Sequence, residues 1–171
     1  MDQTAYFFLD IIHLTQYNIA KDIFKEQQMS QEYEQLKLEN QLCFPMYACA
    51  RKIVNAYNPF LKPLGLTYTQ YIVFMVLWDK ENVNVGQLGE ILHLDAGTLT
   101  PLLKRLEKEG YVTRRRSEED ERVTLISITA KGNELKEKCR DIPLKLSQST
   151  SPLTETESVE LYRLLYKFLD K

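Results

Sequence analysis

A glycine at position 110 separates a leucine-rich helical pattern from two short β-type runs, and that junction limits the folds open to this chain. Between Gly97 and Lys108, Leu99, Leu102, Leu103 and Leu106 recur at the spacing of one helix face, which leaves Thr98, Thr100, Lys104 and Arg105 on the other. Gly110 suits a helix stop. Tyr111–Arg115 and Arg122–Thr129 then read as strands around a charged Ser117–Asp120 tip. A helix with a polar outer face, followed at once by an arginine-flanked hairpin, can fill a major groove of duplex DNA while the hairpin reaches the next minor groove. The expected fold class is mainly α (α+β), built on a winged helix-turn-helix with N- and C-terminal helices forming a dimerisation region.

The flanking segments extend this pattern. Asn84–Leu92 reads as a short helix, and Leu94–Gly97 turns the chain into the next one. Pro101 needs no amide donor in a first helical turn, so Gly97 or Thr98 is the expected cap. The longest apolar run, Tyr71–Trp78, has eight residues and follows capping-box spacing at Thr67 and Gln70. It reads as a helix apolar on all sides and therefore fully buried, although a buried strand would show the same run. A helical pattern spans Leu36 to about Leu64, with Pro45 near the start of its regular part and Cys43 at the entrance. Thr129–Ser147 is helical with a break expected at Pro143. Thr154 and Glu157 repeat the capping spacing ahead of a stripe of Leu161, Leu164, Leu165 and Phe168.

These segments predict one domain over residues 29–171. Within it, 36–64 and 130–171 are dimerisation helices and 66–129 is a winged-helix DNA-binding lobe. Residues 1–28 form an N-terminal extension with two open readings. In one, Met29 is the native start, since Lys25-Glu26 can be encoded by the purine-rich ribosome-binding sequence AAG-GAG. In the other, Tyr6, Phe7, Leu9, Ile11, Ile12 and Leu14 belong to an extra helix that packs on the dimer.

Composition narrows the partners. A chain of 171 residues, 44% hydrophobic and 27% charged, is neither disordered nor fibrous. Its net charge is −2, yet Ala96–Lys131 carries eight Lys/Arg against six acids and the remainder is net −4. A local basic surface on an acidic body confines nucleic acid to one face. Three cysteines, Cys43, Cys49 and Cys139, make no disulfide framework, and no apolar run approaches a membrane span. The N-terminus has no signal-peptide pattern, so a cytoplasmic protein without membrane attachment is expected, in which a reactive thiol is a sensor. His13 and His93 lack ligand spacing, so no metal and no other cofactor is expected.

The order of elements, with LENQLCF at 38–44, LTYTQY at 66–71, LDAGTLTPLLKRLEKEG at 94–110 and RRRSEEDERVTLISIT at 114–129, resembles the MarR family of dimeric repressors. Within that family it is similar to the organic hydroperoxide resistance regulators (OhrR), from Leu36 to the C-terminus. The resemblance implies a homodimer on an inverted-repeat operator in double-stranded DNA. It also implies that Cys43 is the peroxide-sensing thiol, with Tyr57 and Tyr68 as the phenols that hydrogen-bond it. On the wing it makes Arg122 the minor-groove arginine and Asp120 the residue that holds it. Pro45 departs from the family's aliphatic residue, and Ala96 from a serine that would offer a phosphate a hydroxyl.

From the pattern of the residues themselves, Lys104, Arg114 and Arg116 are expected on phosphates, and Thr98, Thr100 and Arg105 at base edges. The competing reading pairs the arginines with Glu118, Glu119 and Glu121 on a solvated hairpin. For the thiol, a helix N-terminus and phenolic donors favour the thiolate that peroxides oxidise. Phe44, Tyr47 and Phe74 would give an organic hydroperoxide an apolar landing surface. The sulfenic acid would condense with a small thiol, and the larger uncharged group would displace the tyrosines. Cys43 as a small buried hydrophobe is the plainer alternative. Cys49, about 240° further round the helix, reads as core filler. Cys139 lies nine residues from Gln148, the position that aligns with the second cysteine of the two-cysteine branch, so the one-cysteine type is favoured. A thiol peroxidase is disfavoured because neither a resolving cysteine nor an arginine stands in a suitable place. The alternative regulator responds to a small lipophilic or phenolic ligand, with Cys43 structural.

Overall fold

The computed structural model describes residues 21–22, 25, 33–80, 82–150 and 152–169; Met29 and the Tyr6–Leu14 pattern lie outside them. The chain divides into two units, Met1–Arg51 and Lys52–Lys171. In the first, 3-10 turns at Glu34–Leu36 and Leu38–Asn40 precede helix α1 (Cys43–Leu61), whose later residues belong to the second unit. The helical pattern from Leu36 thus becomes regular only at Cys43, the entrance expected ahead of Pro45. Local bonds explain the delay. The Asn40 amide donates to the Glu34 carbonyl at 2.8 Å and the Gln41 amide to the Gln35 carbonyl, so side chains take acceptors that an α-ladder would use. Pro45 falls in the first turn of α1, where its missing amide costs nothing.

The second unit is organised around helix α2 (Tyr68–Asp79). The expected capping box is formed: the Gln70 amide donates to Thr67 Oγ1 (3.3 Å), and the Thr67 amide donates to Gln70 Oε1 (2.9 Å). Thr67→Ala should therefore cost about 1 kcal/mol, seen as a lower urea midpoint at unchanged slope. Tyr71, Val73, Phe74 and Leu77 of α2 are buried, but Met75 is 47% exposed. The helix is thus not fully enclosed as its all-round apolarity suggested, because one chain covers only one of its sides.

Strand β1 (Asn82–Asn84) leads into helix α3 (Val85–Leu92), capped by reciprocal bonds between Asn84 and Gln87. Three residues are too few for visible alternation, so β1 escaped the sequence reading. Helix α4 (Ala96–Lys108) is capped by Asp95 rather than by Gly97 or Thr98: the carboxylate accepts the Thr98 amide at 2.8 Å and its hydroxyl at 2.9 Å. Pro101 consequently lies inside α4 and removes one ladder bond. Leu99, Leu103 and Leu106 are fully buried, as their spacing predicts. At the end of α4, Gly110 takes φ +78°, with Tyr111 N–H on the Leu106 carbonyl and Gly110 N–H on the Glu107 carbonyl, both 2.9 Å.

Strands β2 (Val112–Arg116) and β3 (Thr124–Ile128) form the expected hairpin, and β3 also pairs with β1, giving an antiparallel sheet of order β1-β3-β2. Helices α5 (Ala130–Cys139) and α6 (Ile142–Thr150) follow. The break between them precedes Pro143, which sits in the first turn of α6. Helix α7 (Glu155–Leu169) opens on the Thr154–Glu157 box, and its Leu161, Leu164, Leu165 and Phe168 stripe is exposed. Leu61, Phe74, Leu77, Leu88, Leu99, Leu103, Leu106 and Ile126 make the centre of the core. Among the described residues, no single helix is long and apolar enough to cross a membrane.

Candidate functional site

Helices α3 and α4 with the β2–β3 hairpin compose a winged helix-turn-helix, and the hairpin carries arginines whose settings differ. The Arg122 side chain is 91% exposed, with Nε and Nη2 donating to the Asp120 carboxylate at 3.0 and 3.1 Å. That pairing holds the Asp120 carboxyl below its ordinary range and the Arg122 guanidinium above its own. Arg116 Nη1 donates to the Glu121 carbonyl at 2.8 Å. Arg114 instead turns back: its side chain is 21% exposed and Nη1 lies 3.6 Å from Glu107 Oε2 on α4. The Glu118, Glu119 and Glu121 carboxylates make no ion pair with these arginines among the described residues.

On α4, Lys104 and Arg105 are exposed and Thr100 is half-buried. Arg105 Nε pairs with Glu109 Oε1 at 2.9 Å. Thr98 is exposed, but its hydroxyl serves the cap, and the Thr98 amide and hydroxyl together hold the Asp95 carboxyl below its ordinary range.

Cys43, the first residue of α1, is exposed. Cys49 is exposed too, not core filler as its position suggested, because no residue of α1 before Leu61 is buried within one chain. Cys139 is buried, and burial pushes its thiol up. Phe44 and Tyr47 are exposed, whereas Phe74 is fully buried and stacks on Trp78 at 5.6 Å, so it offers no landing surface.

The structure brings Tyr57 and Tyr68 together, with ring centroids 4.9 Å apart. Tyr71 stands 5.6 Å from Tyr57, a third ring that sequence reading missed although it lies one turn beyond Tyr68 on α2. Burial raises all three phenols, Tyr71 up to about 12 with Tyr57 and Cys139 adding to the rise. All three stay protonated, and hence hydrogen-bond donors, at neutral pH. Cys43 precedes Tyr57 by fourteen positions in the chain. Because burial lifts Tyr71 from 10.0 to about 12, its stabilising contribution is complete below pH 10 and lost as pH rises towards 12. Tyr71→Phe should flatten that alkaline decline in urea midpoints; an equally steep decline would place its cause elsewhere.

The family model for the transcriptional regulators SarA/Rot matches residues 55–139. The chain is 50% identical over 141 residues to the organic hydroperoxide resistance transcriptional regulator of Bacillus subtilis (strain 168), covering 80% of this chain and 95% of that protein. The chain belongs to the MarR family of transcriptional regulators, in its organic hydroperoxide resistance branch. Membership makes it a regulator and not an enzyme. Other MarR-type proteins share the architecture. Reduced AbfR bound to DNA superposes with a TM-score of 0.64 at 36% identity, covering 81% of this chain and 99% of the other. A cysteine-to-serine mutant of MarR from E. coli complexed with operator DNA gives a TM-score of 0.66 at 28% identity, covering 75% and 93%.

Proposed function

We propose that this MarR-family chain is a homodimeric repressor that binds double-stranded operator DNA and releases it when an organic hydroperoxide oxidises Cys43. Residues 66–129 are the DNA-binding lobe. Lys104 and Arg116 serve phosphates, Thr98, Thr100 and Arg105 face base edges, and Arg122, braced by Asp120, enters the minor groove. Residues 36–64 and 130–171 pair the two chains, consistent with the exposed apolar residues of α1 and α7. Two such heads demand an inverted repeat with half-sites about one helical turn apart.

The observation that carries the redox reading is a solvent-exposed thiol in the first turn of α1, together with the paired phenols of Tyr57 on α1 and Tyr68 on α2. In the working repressor the Tyr57 and Tyr68 phenols hold the Cys43 thiolate by hydrogen bonds, as the family resemblance implies. The thiolate attacks the hydroxyl-bearing oxygen of the hydroperoxide, the O–O bond breaks, and the alkoxide leaves and takes a proton from solvent to become an alcohol. The resulting sulfenic acid condenses with a small thiol, water leaves, and a mixed disulfide replaces the compact anion the phenols held. Binding to a labelled duplex from upstream of the chain's own gene tests this, with cumene hydroperoxide and a small thiol added and intact mass recorded. Loss of binding in step with a Cys43 adduct is expected; full adduct with undiminished affinity would sink the reading.

A further inference from the structure

We propose that Arg114 and Glu107 form a strut that sets the wing's angle on helix α4, making Arg114 a positioning residue and not a phosphate contact. The inference rests on the DNA-binding reading above. Strand alternation puts Val112 and Arg114 on the same side of β2, and Val112 is buried, so that side faces inward towards the core. Arg114 accordingly lies back towards α4: its side chain is 21% exposed and Nη1 stands 3.6 Å from Glu107 Oε2. Its Nε is buried without a hydrogen-bond partner among the described residues. A guanidinium so enclosed cannot leave its carboxylate without stranding a half-buried charge.

The pair spans the one covalent joint between α4 and the wing. That joint is the turn at Gly110, whose φ of +78° gives the backbone a freedom other residues lack. From α5 and the residue before it, the joint is held by Lys131 Nζ on the Glu109 carbonyl (2.7 Å) and Thr129 Oγ1 on the Gly110 carbonyl (2.8 Å). These bonds and those of Thr129 to the Tyr111 carbonyl fix residues 109–111, and beyond them β2 is held by its ladder to β3 and by buried Val112. The Arg114–Glu107 pair adds a side-chain tie from the middle of β2 directly to α4, across the turn. Major-groove helix and minor-groove wing tip then arrive at the duplex with a set separation.

Glu107→Gln distinguishes the two roles by sign. If Arg114 touches a phosphate, removing the nearby negative charge tightens DNA binding, and Arg114→Gln lowers the salt slope by about 0.9. If the pair is a strut, Glu107→Gln and Arg114→Gln each weaken binding to the upstream duplex about fivefold or more at unchanged salt slope, and the double variant is no worse than either. Binding to a random duplex of equal length should hardly move. Tighter binding by Glu107→Gln, or a lower slope in Arg114→Gln, overturns the proposal. Thermal midpoints of the same variants without DNA form a second cycle, where a double shift smaller than the summed single shifts is expected. Additive midpoints also overturn the strut. Wild type that binds no DNA while the midpoints stay coupled would defeat the DNA-binding reading and leave the strut standing.

Discussion

Cys43→Ser protein is expected to bind its upstream duplex as tightly as wild type and to keep it when an organic hydroperoxide and a small thiol are added. Serine preserves the size of the side chain at the start of α1 but supplies no nucleophile at neutral pH, so the O–O bond is not attacked. Cys49 serves as the internal control. It is exposed on the same helix, so exposure alone would make Cys49→Ser equally deaf to peroxide. Only Cys43 stands in the first turn, where backbone amides lack intrahelical partners and favour an anion. Cys49→Ser should therefore respond as wild type. So should Cys139→Ser, since that thiol is buried and burial opposes its ionisation. Release of DNA by the Cys43→Ser protein at the wild-type peroxide dose would return the choice to a ligand-responsive regulator.

Arg122→Ala is expected to weaken binding to the upstream duplex roughly tenfold to a hundredfold at fixed salt, with thermal unfolding unchanged. Its side chain is 91% exposed and its ion pair is with Asp120, so removal empties no part of the core. The effect on DNA is large because the Asp120 carboxylate, through Nε and Nη2, keeps the guanidinium extended from the hairpin tip and pre-ordered for a narrow groove. Arg122→Lys should recover only part of the loss, since an ammonium cannot keep the two-point contact with Asp120. Equal affinity of wild type and Arg122→Ala would remove the wing tip from DNA recognition.

Features governed by neighbours a few residues apart were legible before folding. The Thr67–Gln70 and Thr154–Glu157 boxes close between residues three apart, so their residue types suffice to announce them. The Gly110 stop and the buried leucines of α4 are likewise local, whereas the Asp120–Arg122 contact was expected from the family resemblance. Strand β1 was not legible, because Val83 finds its partner at Ile126, over forty residues away. Asp95 won the cap of α4 over Gly97 and Thr98 because its carboxylate takes both the amide and the hydroxyl of Thr98. Arg114 shares its residue type with Arg115 and Arg116, so nothing in the triplet says which one turns towards Glu107.

By itself, then, the sequence determined the family, the order of the helices and the wing hairpin, the caps at Thr67 and Thr154 and the thiol placed at a helix entrance. Tertiary structure decided which arginine is tied down and which is free, which tyrosines cluster, that Phe74 is core, and that Cys49 and the stripe of α7 are open to a second chain. The reason is range. Periodicity and capping act over one or two turns of helix, whereas burial and charge pairing depend on segments that meet only after the chain has folded.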